Sequence, residues 1–373
     1  MLPYMKGKFG NPNSAHSMGR EANRAIRKAR QQVADLMSCS SGHIIFTSSG
    51  TEANNLAILG LREYLISKDK KCVVTSSAEH ESVLKSVEIL GQRDGFETSY
   101  LGSGEDGKIS VKPLFGSDSA LSRAGLVSVM YCNNEIGTLN PYKTISKLCR
   151  DAGVLFHTDC VQAAGYYDID VEDIQCDFLS ISSHKINGPK GAGALFVREP
   201  VRKPITPLIN GSQSQEFGMR GGTQNVAAIV GFGEACEITK KTLDVNRRTI
   251  DEARRVFKES LIAKSREIGI AERLHFNSPE NSGKIVNFRF EGVDAETLTL
   301  ALDSKEIYVS SGAACRNYSS EPSPVLIAKG LTEDEARESI RVSFSPLEFD
   351  VWQIVSVAYS IVETAECLLS LVK

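Results

Sequence analysis

The 373 residues suffice for a large core and for two domains, and 41% hydrophobic with 24% charged residues is ordinary for a soluble globular chain. A formal net charge of −3, with Lys and Arg scattered, excludes a bulk electrostatic pull toward nucleic acid or a membrane. The nine cysteines are odd in number, widely spread and without a C-x-x-C pair, which argues against a disulfide framework or a zinc site and for a reducing compartment.

The start, Met1-Leu2-Pro3-Tyr4-Met5-Lys6, is too short and too broken by proline to be a targeting segment. No apolar run approaches the roughly 18 residues of a membrane helix. The expectation is a cytoplasmic protein, or one in an organelle matrix after processing, with no metal, no membrane and no direct nucleic-acid partner.

Residues 1–16, rich in Gly, Asn and Pro, are expected to form an irregular arm. Ala22, Ala25, Ile26, Ala29, Val33 and Leu36 then fall on one helical face over 17–37. His43–Thr47 reads as a strand, Ser48–Glu52 as a turn and Ala53–Tyr64 as a helix. Further short apolar runs follow at Cys72–Thr75, Leu126–Tyr131, Val154–Thr158, Phe178–Ile181 and Gly193–Val197, with helical patterns between several of them. This alternation predicts an α/β fold with a mostly parallel sheet covered on both faces.

Beyond about residue 240 the texture changes. A charged helix over 240–266 leads to a strand near Lys284–Phe290, a helix over Asp294–Asp303 and a polar loop over Ser310–Ser320. Thr332 and Glu335 fit a capping box. Ser339–Phe344 reads as a strand and Val351–Leu371 as a closing helix. The domains are set at 1–250 and 251–373, the second a smaller α+β domain carrying a cysteine loop.

One stretch organises the candidate chemistry. Lys185 follows Ser182, Ser183 and His184 at the end of a strand, where an amine can form a Schiff base and the hydroxyls and imidazole can donate to a phosphate. Asp159 closes the preceding strand, where side chains of a parallel sheet face the ligand crevice. Its carboxylate suits a protonated pyridine nitrogen, and Gln162 a ring oxygen; an N-cap role for Asp159 is the plainer alternative. Gly50 and Thr51 open a helix after a strand, where glycine permits close approach and free N–H groups favour phosphate. For this stretch alone a plain strand–helix turn with a threonine N-cap is the better reading.

His80 follows a strand between two glutamates and is able to stack on a ring or move protons. Asn134, in Asn133-Asn134-Glu135-Ile136-Gly137, caps a turn or reaches the pyridine cofactor. Cys315 sits in a small polar loop beside Arg316, which favours the thiolate. Arg341, a charge inside a strand, needs an anionic partner, either a substrate carboxylate or a structural ion pair.

Together these motifs resemble the class V aminotransferase group, and most closely cysteine desulfurases of the NifS and IscS type. The resemblance runs from Phe9-Gly10-Asn11-Pro12 through Gly50-Thr51-Glu52-Ala53-Asn54-Asn55, Glu79-His80, His157-Thr158-Asp159-Cys160-Val161-Gln162, Ser183-His184-Lys185 and Gly218-Met219-Arg220-Gly221-Gly222-Thr223 to Ser339-Ile340-Arg341. It implies fold type I pyridoxal phosphate architecture, with a seven-stranded-type sheet, and a homodimer. Lys185 would bond pyridoxal 5'-phosphate. Gly50, Thr51, Ser182 and His184 would hold its phosphate, and Thr223 would reach the phosphate in the partner subunit. Asp159, Gln162 and His80 would hold the ring, and Asn134 and Arg341 the substrate carboxylate. Cys315 would take sulfur from L-cysteine as a persulfide, leaving L-alanine, and pass it to a sulfur acceptor or iron–sulfur scaffold protein.

Two departures stand out. An opening strand with an Ala-Thr-Thr segment is missing, and Gly211–Glu216 replaces a run dominated by glycine. The alternatives are a selenocysteine lyase or related lyase, and a shortened non-catalytic paralogue acting as a binding partner.

Overall fold

The computed structural model describes residues 1–198, 205–312, 322–347 and 350–371. The chain forms two compact units. The first comprises Met1–Leu101, Val111–Tyr131 and Pro141–Leu243; the second comprises Gly102–Ser110, Cys132–Asn140 and Asp244–Lys373. The second unit thus takes in three stretches that sequence patterning assigned to the 1–250 domain: 102–110, 132–140 and 244–250.

Up to Leu101 the elements are α1 (Leu2–Lys6), α2 (Ser17–Leu36), β1 (Ile44–Thr47), α3 (Gly50–Leu59), α4 (Arg62–Ser67), β2 (Cys72–Ser76), α5 (Glu81–Asp94) and β3 (Glu97–Leu101). There follow β4 (Leu126–Ser128), α6 (Tyr142–Asp151), β5 (Leu155–Asp159), α7 (Val171–Ile174), β6 (Phe178–Ser182) and β7 (Gly193–Val197). The long α8 (Val226–Glu267) contains the boundary between the units.

The seven strands lie in the order β1-β7-β6-β5-β4-β2-β3. From β3 to β6 every pairing is parallel, and β7 runs antiparallel to both of its neighbours, β6 and β1. All residues of β1, β2, β4, β6 and β7 are buried. That is why these strands read as continuous apolar runs rather than alternating ones. Ile45, Leu56, Val73, Phe178 and Leu195 belong to the core cluster on this sheet.

The expected irregular arm over 1–16 needs one correction. Leu2–Lys6 is a short helix, because Pro3 falls in its first turn, where a missing N–H costs nothing. The chain after it is irregular as expected, and a Cβ on Gly10 would lie 2.5 Å from the Met18 carbonyl carbon. In α2 the predicted face is buried at Ala22, Ile26, Ala29 and Val33.

The second unit holds β8 (Leu274–Phe276), β9 (Ile285–Phe290), α9 (Ala295–Asp303), α10 (Pro324–Ala328), α11 (Glu333–Arg337), β10 (Ser339–Ser343) and α12 (Val351–Leu371). Its sheet is antiparallel, in the order β10-β9-β8. Phe257, Phe288, Phe290, Leu298, Ile340, Ile361 and Val362 build its core. The predicted capping box is present, with Thr332 and Glu335 each satisfying the other's backbone N–H. By length and composition α12 is apolar enough to cross a membrane, contrary to the reading that no run approached that length. Its Ala358, Ile361, Val362 and Ala365 are instead buried in this core, while Trp352, Glu363 and Glu366 are exposed.

Candidate active site

In the first unit the candidate residues collect at the carboxyl ends of parallel strands. Asp159 is the last residue of β5 and is 6% exposed. Its Oδ1 accepts the Val161 N–H at 2.8 Å, and its Oδ2 accepts Nδ2 of Asn54 at 2.7 Å. The capping role and the ring-partner role are therefore compatible: one oxygen closes the turn and the other faces α3.

Gly50 begins α3 under a Ser49 cap, whose hydroxyl accepts the Glu52 N–H at 3.1 Å. A Cβ on Gly50 would lie 2.6 Å from Cγ2 of Val161 and 3.4 Å from Cβ of Ser182. Only glycine permits this approach. It brings the start of α3, with exposed Thr51, against the turns after β5 and β6. Gln162 is half-buried on the first of these turns.

Ser182 Oγ and His184 Nδ1 are 3.0 Å apart. Burial, then Lys185 and Lys190, hold the His184 imidazole below its usual pKa, which favours the neutral ring. Lys185 is exposed on a single 3-10 turn, Ser183–Ile186. The turn closes through Asn187 in the left-handed region (φ 62) and a Gly188 N–H donated to the Ser183 carbonyl at 3.0 Å. A Cβ on Gly188 would sit 2.2 Å from Ser183 Oγ, so the lysine turn also depends on a glycine.

Sequence reasoning missed several groups around this centre. Asn54 joins Asp159 to Ser82: its Nδ2 also donates to Ser82 Oγ at 2.9 Å, and that oxygen is 2.8 Å from His80 Nδ1. His80 is the N-cap of α5, a structural role absent from the sequence reading. Glu79 is buried, accepting the Ser76 hydroxyl at 2.6 Å and the Met130 N–H at 2.9 Å. Burial pushes its carboxyl up to about 8, against the pull of these donors. His157, two residues before Asp159, bridges Ser128 Oγ at 2.8 Å and Ser180 Oγ at 3.0 Å, and full burial holds it down at about 3. The only signal for Asn54 and Glu79 was polarity next to apolar neighbours in motifs already marked.

The segment leading to Thr223 is tied down by charge. Glu216 is 3% exposed and accepts both Nη atoms of Arg30 at 2.7 Å, together with the Phe46 N–H at 2.8 Å. Arg220 Nε donates to Glu52 in the first turn of α3 at 2.9 Å. Burial of Glu52 is outweighed by its hydrogen bonds to Arg220 and Ser48, so its carboxyl lies below the usual range. The unusual stretch Gly211–Glu216 thus ends in a buried anchor. Thr223 itself is exposed.

Asn134 and Arg341 both belong to the second unit, where Arg341 Nη1 donates to the Asn134 carbonyl at 2.9 Å. The turn holding Asn134 is built by Asn133 Oδ1, which accepts the Glu135 and Ile136 N–H groups at 2.8 and 3.0 Å. Gly137 takes φ 73, and a Cβ there would lie 2.0 Å from the Ser282 carbonyl oxygen. Asn134 Oδ1 is buried without a hydrogen-bond partner. Glu135 accepts the Ser323 hydroxyl at 2.5 Å. Cys315 lies outside the described residues.

The first-unit groups fit a phosphorylated pyridine aldehyde. A helix start reachable only past glycine suits a phosphate, a buried carboxylate at a strand end suits a pyridinium, and an exposed lysine lies on the turn after the next strand. Asn54 Oδ1 and Ser183 Oγ are buried there without partners. Parallel strand ends are where open α/β sheets take their ligands, and the set matches what a fold type I pyridoxal phosphate enzyme requires.

The comparisons narrow this class. The aminotransferase class-V family model matches residues 1–348. The chain is 38% identical over 347 residues to a cysteine desulfurase IscS of Clostridium botulinum, covering 92% of this chain and 84% of the relative. Among solved structures, a NifS-like protein superposes with a TM-score of 0.84 at 29% identity, covering 99% of this chain and 94% of the other. A structure described as SspA in complex with cysteine gives 0.75 at 31% identity, covering 93% and 94%. The chain belongs to the aminotransferase class-V family.

Proposed function

We propose that the protein is a pyridoxal phosphate-dependent cysteine desulfurase, converting L-cysteine to L-alanine and carrying the sulfur as a persulfide on Cys315. The observation that carries the reading is the convergence of Gly50, Asp159 and Ser182 at the strand ends, with Lys185 on the adjoining turn. Its kinship to cysteine desulfurases over 92% of its length supports the same reading.

When bound, pyridoxal phosphate supplies an electron sink that makes the Cα proton of an attached amino acid labile. Lys185 would be its attachment point and the amine that moves the Cα proton. Gly50, Thr51, Ser182 and His184 would hold the phosphate. Asp159 would pair with the ring nitrogen, Gln162 would donate to the ring oxygen and His80 would pack on the ring. Arg341 and Asn134 take the substrate carboxylate. The Cys315 thiolate attacks the sulfur of L-cysteine: the Cβ–S bond breaks, an S–S bond forms, and the carbon skeleton takes up a proton to leave as alanine. No outside oxidant is needed, because the carbon is reduced by the electron pair the sulfur leaves behind.

The proposed assembly is a homodimer in which Thr223 reaches the phosphate site of the partner subunit; its exposure leaves it available for that contact. The sulfur acceptor is proposed to be an iron–sulfur scaffold or thiolation protein. A cytoplasmic setting is proposed from the cysteine pattern, nine widely spread residues with no C-x-x-C pair. The test is incubation of the pyridoxal phosphate-loaded protein with L-cysteine, scoring alanine and mass-shifted Cys315. Both products are expected, and Cys315→Ser should abolish sulfide release. Full turnover of the serine variant would sink the desulfurase reading in favour of a lyase. Failure to take up pyridoxal phosphate would favour a non-catalytic role.

A further inference from the structure

We propose that Asn54 and Ser82 are positioning residues that fix His80 as the neutral tautomer with its proton on Nε2, so that Asp159 and His80 are set by one directed hydrogen-bond chain. The proposal rests on the desulfurase reading only for its kinetic consequence; the tautomer follows from the protein's own groups.

The direction of the chain starts at Asp159. Its Oδ1 accepts the Val161 N–H and its Oδ2 accepts the Asn54 amide. Asn54 therefore presents its NH2 group, and not its carbonyl, at the 2.7 Å contact with Oδ2. Flipping the amide would set Asn54 Oδ1 against a carboxylate, two acceptors face to face. The second hydrogen on the same nitrogen goes to Ser82 Oγ at 2.9 Å. That oxygen accepts from Asn54, and its own hydrogen is free to donate to His80 Nδ1, 2.8 Å away. The Ser82 backbone N–H points at the same nitrogen from 3.1 Å, as the cap of α5. Both donors need an unprotonated Nδ1, and a neutral imidazole with a bare Nδ1 carries its hydrogen on Nε2. A proton on Nδ1 would break both contacts together.

Asn54 and Ser82 are 1% and 7% exposed, so water does not replace these bonds. Ser82 is further fixed because its carbonyl accepts the Ser86 hydroxyl at 2.7 Å. The orientation leaves Asn54 Oδ1 buried and without a partner, a cost the alternative orientation would not avoid, since it would leave Asp159 facing an acceptor. His80 then offers Nε2–H as a donor and not as a base. With the cofactor bound, removal of the Cα proton would fall to Lys185, and His80 would act as a hydrogen-bond donor.

The test is 15N NMR of the histidine-labelled protein without cofactor near neutral pH, with the His80 signal assigned by loss in His80→Gln. Wild type is expected to show a bare Nδ1 and a protonated Nε2. Ser82→Ala should move His80 toward a tautomer mixture, and Ser82→Thr, which keeps the hydroxyl, should restore the wild-type pattern. His157, bridged by Ser128 and Ser180 on other strands, serves as the internal control for folding and should not shift. In the loaded enzyme, Ser82→Ala should lower kcat with L-cysteine about tenfold, the loss of one oriented hydrogen bond, with KM little changed. A wild-type His80 protonated on Nδ1, or a folded Ser82→Ala with an unmoved His80 signal, overturns the chain. A moved signal with unchanged kcat overturns its role in catalysis. If wild type makes no alanine, the desulfurase reading fails while the tautomer assignment stands or falls on the spectra.

Discussion

Two buried titratable side chains near Asp159 pull the pH dependence of stability in opposite directions. Glu79 is protonated in the native state up to about 8, whereas the unfolded chain ionises it near the ordinary 4.5. Its contribution is therefore fully present below 4.5 and is lost as pH rises toward 8, because only the native state still holds the proton. His157 works the other way. Its native pKa of about 3 lies below the ordinary 6.5, so stability is full above 6.5 and is lost as the pH falls and the unfolded state charges. Each slope is at most about 1.4 kcal/mol per pH unit. In Glu79→Gln the descending limb toward pH 8 should flatten and the His157 limb should remain, as read by urea midpoints across pH. An unchanged profile would mean that Glu79 is ionised in the native protein. At this scale the sequence was informative about end positions and silent about partners. Asp159 and His80 could be marked because each ends or follows a strand. Asn54, Ser82 and Asp159 come together only because α3, α5 and β5 converge, and no local period encodes that.

Elements were legible where burial is two-sided. The strands β2, β4, β6 and β7 are buried throughout and read as short, mostly apolar runs, and β5 begins as one before it turns polar at His157. By contrast β3, at the sheet edge, is exposed or half-buried until Leu101, and β8 is only half-buried. Neither has an apolar run to read. The reversal of β7 was also invisible, since a strand buried on both faces looks the same in either direction. The Thr332–Glu335 capping box was legible, whereas the His80 cap was not, and the cap of α3 is Ser49 rather than Thr51. Thr332→Ala should remove one half of the capping box and cost about 1 kcal/mol, seen as a lower urea midpoint with an unchanged m-value. The anchor at Glu216 lies at the other extreme, because nothing in its sequence neighbourhood points to Arg30. Its side chain is 1% exposed, so Glu216→Ala strands a nearly buried guanidinium and the Phe46 N–H. A loss of about 3 kcal/mol or more is expected. A loss below about 1 kcal/mol would show that water fills the site.

Across the whole molecule, the residues proposed to hold pyridoxal phosphate lie in the first unit except Asn134, which with Arg341 is also proposed for the substrate carboxylate and lies in the second. The two units have separate hydrophobic cores, one on the seven-stranded sheet and one around Phe288 and Ile361. Stabilisation by a ligand acts through the state that binds it and grows as RT ln(1 + [L]/Kd), about 2.7 kcal/mol at a hundredfold excess over Kd. Cofactor binding should therefore raise protection against amide hydrogen exchange chiefly in the first unit. The largest gains are expected at the start of α3 and in the turns after β5 and β6, with lesser change in β9 and α12. A Gly50→Val variant should lose these gains, because its side chain would overlap Val161 and close the approach to the helix start. Its second-unit amides should exchange as in wild type, which separates a blocked site from a misfolded chain. Equal protection in both units on adding cofactor, undiminished in Gly50→Val, would place the binding site elsewhere than the strand ends.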